Sequence, residues 1–241
     1  MSLAGDHHRA WRSLPLGALD GIIGAGTCLI LAPHPDDESL GCGGLIASAV
    51  AAGRAPLVVI LTDGAGSHPH SRAYPPDRLR ATREAEAAQA VACLGLPPER
   101  LTCLRQPDTA APHQGPDFDA VVGQLRALLG REPGCTTILA PWAHDPHCDH
   151  QAASRIAGAI GIRHLAYPVW GWTLPADDAV PAPVGTGWRL PIGAHLPAKR
   201  HAIQAHRSQY GGLITDDPTG FQLPPGLLSV FDQPFETFLL P

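Results

Sequence analysis

Three short runs of consecutive apolar residues punctuate the chain, at 27–32, 56–62 and 136–141, and each is followed by turn-forming or polar residues. Unbroken apolar runs of this length are the pattern of strands buried on both faces, as parallel strands are. A fourth, shorter run lies at 100–104. The segments between them read as helices. Residues 39–53 are rich in Ala, Leu and Ile, and 149–160 are rich in Ala. Residues 77–94 open with Asp77 after Pro75-Pro76 and close before Gly95, an N-cap and C′ pair, and 117–130 close at Gly130. This regular alternation of strand and helix predicts an α/β protein, a Rossmann-like three-layer α/β/α fold with a mostly parallel sheet. Ligands of such sheets sit outside the carboxyl ends of the strands, where the strand order reverses. The runs at 27–32 and 136–141 are the expected neighbours there.

Beyond residue 164 the pattern loosens. Residues 164–170 and 186–192 are candidate strands, and 197–209 a candidate helix carrying Lys199, Arg200, His206 and Arg207. No linker or internal repeat interrupts the chain. Residues 1–241 are therefore expected to form one domain, with 1–24 as an N-terminal extension and 164–241 as its less regular part. Pro and Gly, 26 each, gather in 168–197 and 211–226, which read as loops.

Composition narrows the function. A hydrophobic content of 44% supports a packed core, and a net charge of −5 without a basic patch argues against nucleic acid as a partner. The six cysteines include no C-x-x-C pair, which suits reduced thiols in a cytoplasmic protein. The N-terminus lacks the basic-then-apolar order of a signal peptide, and no apolar stretch reaches the length of a membrane span.

The chemistry lies at two strand ends. The first apolar run leads into Ala32-Pro33-His34-Pro35-Asp36-Asp37-Glu38, and the third leads into His144-Asp145-Pro146-His147-Cys148-Asp149-His150. Charge at the end of a buried strand is costly unless a metal or a reaction uses it. Catalytic zinc takes three nitrogen, oxygen or sulfur ligands and leaves one position open. His34 and Asp37 have the spacing to chelate at a strand-to-helix turn. His150 is the leading candidate for the third ligand, because it would open the helix 149–160; His147 and His144 compete for that role. Asp36 and Asp37 as simple helix caps would explain the first cluster alone, but not two such clusters at one crevice. Gly41-Cys42-Gly43-Gly44 is not a dinucleotide fingerprint, since Ile46 stands where the third glycine belongs.

P-H-P-D-D-E at 33–38, together with P-H-x-D-H at 146–150, resembles the de-N-acetylases related to N-acetylglucosaminyl-phosphatidylinositol deacetylase, the PIG-L or LmbE-like family. The resemblance extends through Thr62-Asp63-Gly64, Arg83 and Glu86 with Leu94-Gly95, a loop Asp at Asp108, and Lys199 through His206-Arg207-Ser208-Gln209. It implies zinc ligands His34, Asp37 and His150, with iron(II) as another metal that such a site accepts. It implies Asp36 as general base, His147 stabilising or protonating the tetrahedral intermediate, and Asp149 orienting a neighbouring histidine. Arg83 and Asp108 are the implied substrate contacts, and His206 is a further candidate from the late helix. Cys148, where the family often has Pro or Gly, is read as non-ligating. The implied activity is removal of an N-acetyl group from an amino sugar, such as N-acetylglucosamine, or from a glycoconjugate containing one. An amidase for another small N-acyl compound and a non-catalytic sugar-binding protein are the alternatives. Specificity is expected in the loops 64–76, 106–116 and 168–196. His68 and His70 read as solvated loop residues, and Trp142, Trp170 and Trp172 as packing residues.

Overall fold

Along Thr27–Ala32 successive side chains enter opposite layers. Cys28, Ile30 and Ala32 join one apolar core, Leu29 and Leu31 the other, and all five are fully buried. A strand covered on both faces has no polar side, so the run shows no alternation. The structure is a computed structural model describing residues 1–241. Its elements in chain order are β1 (Ser2–Leu3), α1 (Ala4–Ser13), α2 (Leu19–Ile23), β2 (Thr27–Ala32), α3 (Asp37–Ala51), β3 (Leu57–Thr62), α4 (Pro76–Cys93), β4 (Leu101–Gln106), α5 (Gly115–Gly130), β5 (Cys135–Pro141), α6 (Cys148–Ile160), β6 (Arg163–Tyr167), β7 (Ala179–Val180), β8 (Gly187–Pro191), α7 (Leu196–Ala205), α8 (Arg207–Tyr210), α9 (Pro225–Phe231) and β9 (Phe235–Leu239).

Seven strands form the central sheet in the order β4-β3-β2-β5-β6-β9-β8. The pairings from β4 through β6 are parallel, and β9 runs antiparallel to both β6 and β8. α3, α7 and α9 cover one face; α5 and α6 cover the other. This is the three-layer α/β/α arrangement. β2 pairs with β3 on one side and β5 on the other, so the order reverses there and the two chemical clusters emerge at the same sheet edge.

One close approach fixes α3. A Cβ at Gly41 would stand 2.3 Å from the Tyr167 ring, whose hydroxyl donates to the Leu31 carbonyl at 2.9 Å. Gly41→Ala is expected to lower stability by about 1–3 kcal/mol through overpacking, readable as a fall in the thermal unfolding midpoint.

Several elements differ from the sequence expectation. α3 starts at Asp37, which puts Asp37 and Glu38 in its first turn, where the helix dipole favours negative charge. α4 is capped by Pro75 with Pro76 at its first position, so Asp77 lies inside the helix; Gly95, at φ 78°, does follow its end. The late helix is two helices, broken at His206 (φ −77°, ψ 60°). β9 has no counterpart in the sequence reading. It carries Glu236, buried, whose carboxylate accepts from the Gly44 and Leu45 N–H groups and from Lys199 Nζ at 2.7–2.8 Å. Within residues 1–24, Trp11 is fully buried, edge-on to Trp142 and Trp172. No helix is long and apolar enough to cross a membrane.

Candidate metal centre

The turn after β2 is anchored by Thr62, which donates both its N–H and its hydroxyl to the Pro33 carbonyl at 2.9 Å. The chain then doubles back sharply. Asp36 adopts φ 146°, ψ −30°, a region costing about 1–3 kcal/mol for a residue with a side chain, and such strain gathers at functional sites. The turn brings Asp37 against His34: Asp37 Oδ2 accepts from the His34 backbone N–H at 3.0 Å and lies 3.1 Å from His34 Nδ1. From the start of α6, His150 Nε2 reaches the same oxygen at 3.1 Å.

Tetrahedral zinc with bonds of about 2.0–2.1 Å separates its ligand atoms by about 3.3 Å. Both contacts to Asp37 Oδ2 are close to that spacing. His150 is fully buried, and its Nε2 has no hydrogen-bond partner. Buried ring nitrogens are normally paired, so a nitrogen facing a carboxylate oxygen without a hydrogen bond fits a cation between them. With protons as the only cations, burial opposes charge on His150, but Asp37 and Asp145 push its pKa up to about 9. Burial likewise opposes ionisation of Asp37, yet His150 and His34 hold its carboxyl far below the usual range.

Other donor sets lie within 4.8 Å of one another: His34 with His147 and His150, His147 with Cys148 and Asp149, and His34 with Asp108 and Asp149. Asp37 is in none of these three sets, and the acids in them are also hydrogen-bonded to backbone N–H groups. Asp149 accepts from the Thr109 and Ala111 N–H groups at 2.8 and 3.0 Å, and its Oδ2 meets His34 Nε2 at 3.0 Å. Asp108 accepts from the Gly66 N–H at 2.9 Å and lies 3.3 Å from His34 Nε2. These two acids therefore hold the far nitrogen of His34 and leave Nδ1 facing Asp37. Cys148 is exposed and points its thiol at the Thr109 carbonyl, 3.4 Å away. Its pKa is raised by partial burial and by Asp149, which disfavours the ligating thiolate.

Asp145 had no role in the sequence reading. It is fully buried, accepts from the Val169 and Gly171 N–H groups at 3.0 and 3.1 Å, and places Oδ1 3.3 Å from His150 Nδ1. It is the carboxylate behind His150, in ion-pair contact with the ring although neither Oδ1 nor Nδ1 makes a hydrogen bond. Its only sequence signal was membership of the second cluster.

Asp36 and Asp37 diverge. The Asp36 carboxyl lies at the cavity wall, 3.3 Å from Arg83 Nη2. Burial and neighbouring Asp37 raise its pKa to about 7, against the lowering effect of Arg83, His206 and His34. Arg83 is itself buried and also donates to the Gly64 and Pro35 carbonyls at 2.9 and 2.8 Å. His147 caps α6, its Nδ1 accepting from the Asp149 N–H at 3.2 Å, so the ring proton sits on Nε2. Burial and then His34 and His150 lower its pKa.

These groups open on a cavity of about 410 Å³. His34, Asp36, Arg83, Asp108 and His147 line its polar side; Trp170, Phe221 and Leu223 form an apolar side, with the two aromatic rings edge-on at 5.6 Å. A second cavity, about 300 Å³ beside Lys199, shares no residue with it. The loops 64–76 and 106–116 contribute Ser67, Pro69, Asp108 and Thr109, and Trp170 comes from the third expected loop. Residues 209–223, with Gln209 and Phe221, line the cavity without having been expected there. His206 does not: the break between α7 and α8 turns its ring inward, where it is fully buried with Nε2 2.8 Å from Glu38 Oε1. His68 is buried against Gly220 rather than solvated. Trp142 and Trp172 pack against Trp11.

A sequence model of the family described as PIG-L, GlcNAc-PI de-N-acetylase, matches residues 29–160, more than half of the chain and both strand-end clusters. The chain belongs to the PIG-L family. Within 147 residues this PIG-L protein is 30% identical to the 2′-N-acetylparomamine deacetylase of Streptomyces fradiae, covering 56% of this chain and 53% of that protein. It thus spans about half the length of that relative. The conserved protein TT1542 from Thermus thermophilus is 26% identical, with a TM-score of 0.63 over 89% of this chain and 94% of its own. The N,N′-diacetylchitobiose deacetylase of Pyrococcus horikoshii, 20% identical, shares the fold with a TM-score of 0.62 over 89% of this chain and 84% of its own.

Proposed function

We propose that this protein is a zinc-dependent de-N-acetylase that hydrolyses the N-acetyl amide of an amino sugar, or of a glycoconjugate containing one. The observation that carries this reading is the convergence of His34 Nδ1 and His150 Nε2 on one oxygen of Asp37, each at 3.1 Å, with the preceding acid, Asp36, turned instead toward Arg83 at the cavity wall. A divalent metal held by His34, Asp37 and His150 supplies Lewis acidity toward water and the amide carbonyl; iron(II) suits the same donors.

The chain's own groups supply the rest. Asp36 accepts the proton of the attacking water, as a carboxylate beside but not among the ligands can. Arg83 fixes that carboxylate from the other side. His147, with its proton on Nε2, donates to the oxygen that gains charge or to the departing amine. Asp149 and Asp145 hold the rings of His34 and His150. Trp170 and Phe221 give an apolar wall suited to the face of a sugar ring. The deacetylase relatives support the substrate class, and six unpaired cysteines suit a reducing, cytoplasmic setting.

Acetate release from a panel of N-acetylhexosamines and N-acetylated aminoglycoside fragments tests the reading. Chelator is expected to abolish release and added zinc to restore it. A fully metal-loaded protein that releases acetate from none of them would contradict it.

A further inference from the structure

We propose that Glu38 and His206 form a positioning pair that locks the main chain of Asp36 in its left-handed conformation and so aims its carboxylate. This rests on the reading of Asp36 as the base. The pair is otherwise unemployed. Both residues are fully buried, and neither lines the cavity.

The φ angle of Asp36 is set by the orientation of the peptide unit joining Pro35 to Asp36, and both ends of that unit are held. Its N–H donates to Glu38 Oε2 at 2.9 Å, and its carbonyl, on Pro35, accepts from Arg83 Nη2 at 2.8 Å. Without such restraint a residue with a side chain at φ 146° relaxes toward negative φ. The bonds that the Asp36 carbonyl accepts from the Ser39 and Leu40 N–H groups belong to the start of α3 and restrain the following peptide unit instead.

Glu38 is in turn fixed by its other oxygen. Oε1 accepts from the Ser39 hydroxyl at 2.6 Å and lies 2.8 Å from His206 Nε2. His206 Nδ1 has no partner, so the bond through Nε2 is the ring's polar anchor. Two donors on opposite sides of one carboxylate, the Asp36 N–H and the His206 ring, need both of its oxygens as acceptors. The carboxylate meets both with one oxygen each, and His206 reaches it from the break between α7 and α8. A shift of the Asp36 carboxylate by about 1 Å is enough to cost about 10²-fold in turnover.

The test compares His206→Leu with His206→Gln, whose side-chain amide keeps a donor for Glu38. Three readouts are taken: acetate-release kinetics, metal affinity by chelator competition, and the Asp36 φ angle in crystal structures. His206→Leu is expected to lower kcat by about 10²-fold with KM and metal affinity unchanged, and to release Asp36 to negative φ. His206→Gln is expected to recover most of kcat and keep the positive φ. If His206→Leu does not fold, Glu38→Leu replaces it, because it removes the acceptor that the Asp36 N–H uses together with the partner of His206; the same pattern is expected. An unchanged Asp36 φ and kcat in either disrupting variant, or metal lost in step with activity, would overturn the proposal. If the unaltered protein hydrolyses nothing, the proposed function fails, while the φ readout still decides the clamp.

Discussion

Asp36→Ala is expected to lower acetate release by about 10²–10⁴-fold while the protein keeps its metal, the range typical of losing a positioned general base. The two neighbouring acids make this a sharp comparison. Asp37 Oδ2 is 3.1 Å from both His34 Nδ1 and His150 Nε2, whereas Asp36 lies 3.3 Å from Arg83 Nη2. Burial raises both, but their neighbours part them: Asp36 is raised to about 7, whereas the two histidines drive Asp37 far down against burial. On the proposed function, two identical side chains in adjacent positions divide into a metal ligand and a proton acceptor. Metal content and steady-state rates measured on one preparation check this. Parallel loss of metal and activity in Asp36→Ala would mean that Asp36 holds the metal.

His150→Ala carries the second large effect. Removing one of three protein ligands is expected to weaken metal binding beyond the roughly 10–100-fold typical of losing an outer carboxylate. The vacated position also leaves Asp145 buried without its imidazole, 3.3 Å from where Nδ1 stood. Activity is expected to vanish at metal concentrations that saturate the unaltered protein, and to return in part only with excess metal. Chelator competition and acetate release at graded metal concentrations read both effects. Undiminished metal affinity in this variant would move the site toward His147, Cys148 and Asp149.

The chain's local chemistry made some of this legible and hid the rest. β2, β3 and β5 announce themselves because strands covered on both faces must be apolar throughout. β9 does not, since Phe-Glu-Thr-Phe-Leu places a charged residue in the sheet, and only Lys199 and the α3 amides make Glu236 tolerable there. His34, Asp37 and His150 could be singled out because each follows a buried strand closely, and the sheet brings the ends of β2 and β5 together. Asp145 could not, because its partners are backbone N–H groups of a loop whose path depends on Trp11 packing behind Gly171. His206 was misplaced for a related reason. A continuous helix over 197–209 would carry it toward the cavity, but the chain breaks at that residue, and the ring turns to Glu38 while Gln209 takes the place at the wall. Glu86 shows the same long-range dependence, accepting from the Ser208 N–H and hydroxyl at 2.8 and 2.6 Å. Motif residues that look independent along the chain are thus partners across it.

The most direct test of the central claim is anomalous X-ray diffraction at the zinc absorption edge from crystals grown with zinc. The account predicts one strong peak bounded by His34 Nδ1, Asp37 and His150 Nε2, with Asp36 outside bonding distance. A peak coordinated instead by His147, Cys148 and Asp149, or no peak within reach of Asp37, would contradict it.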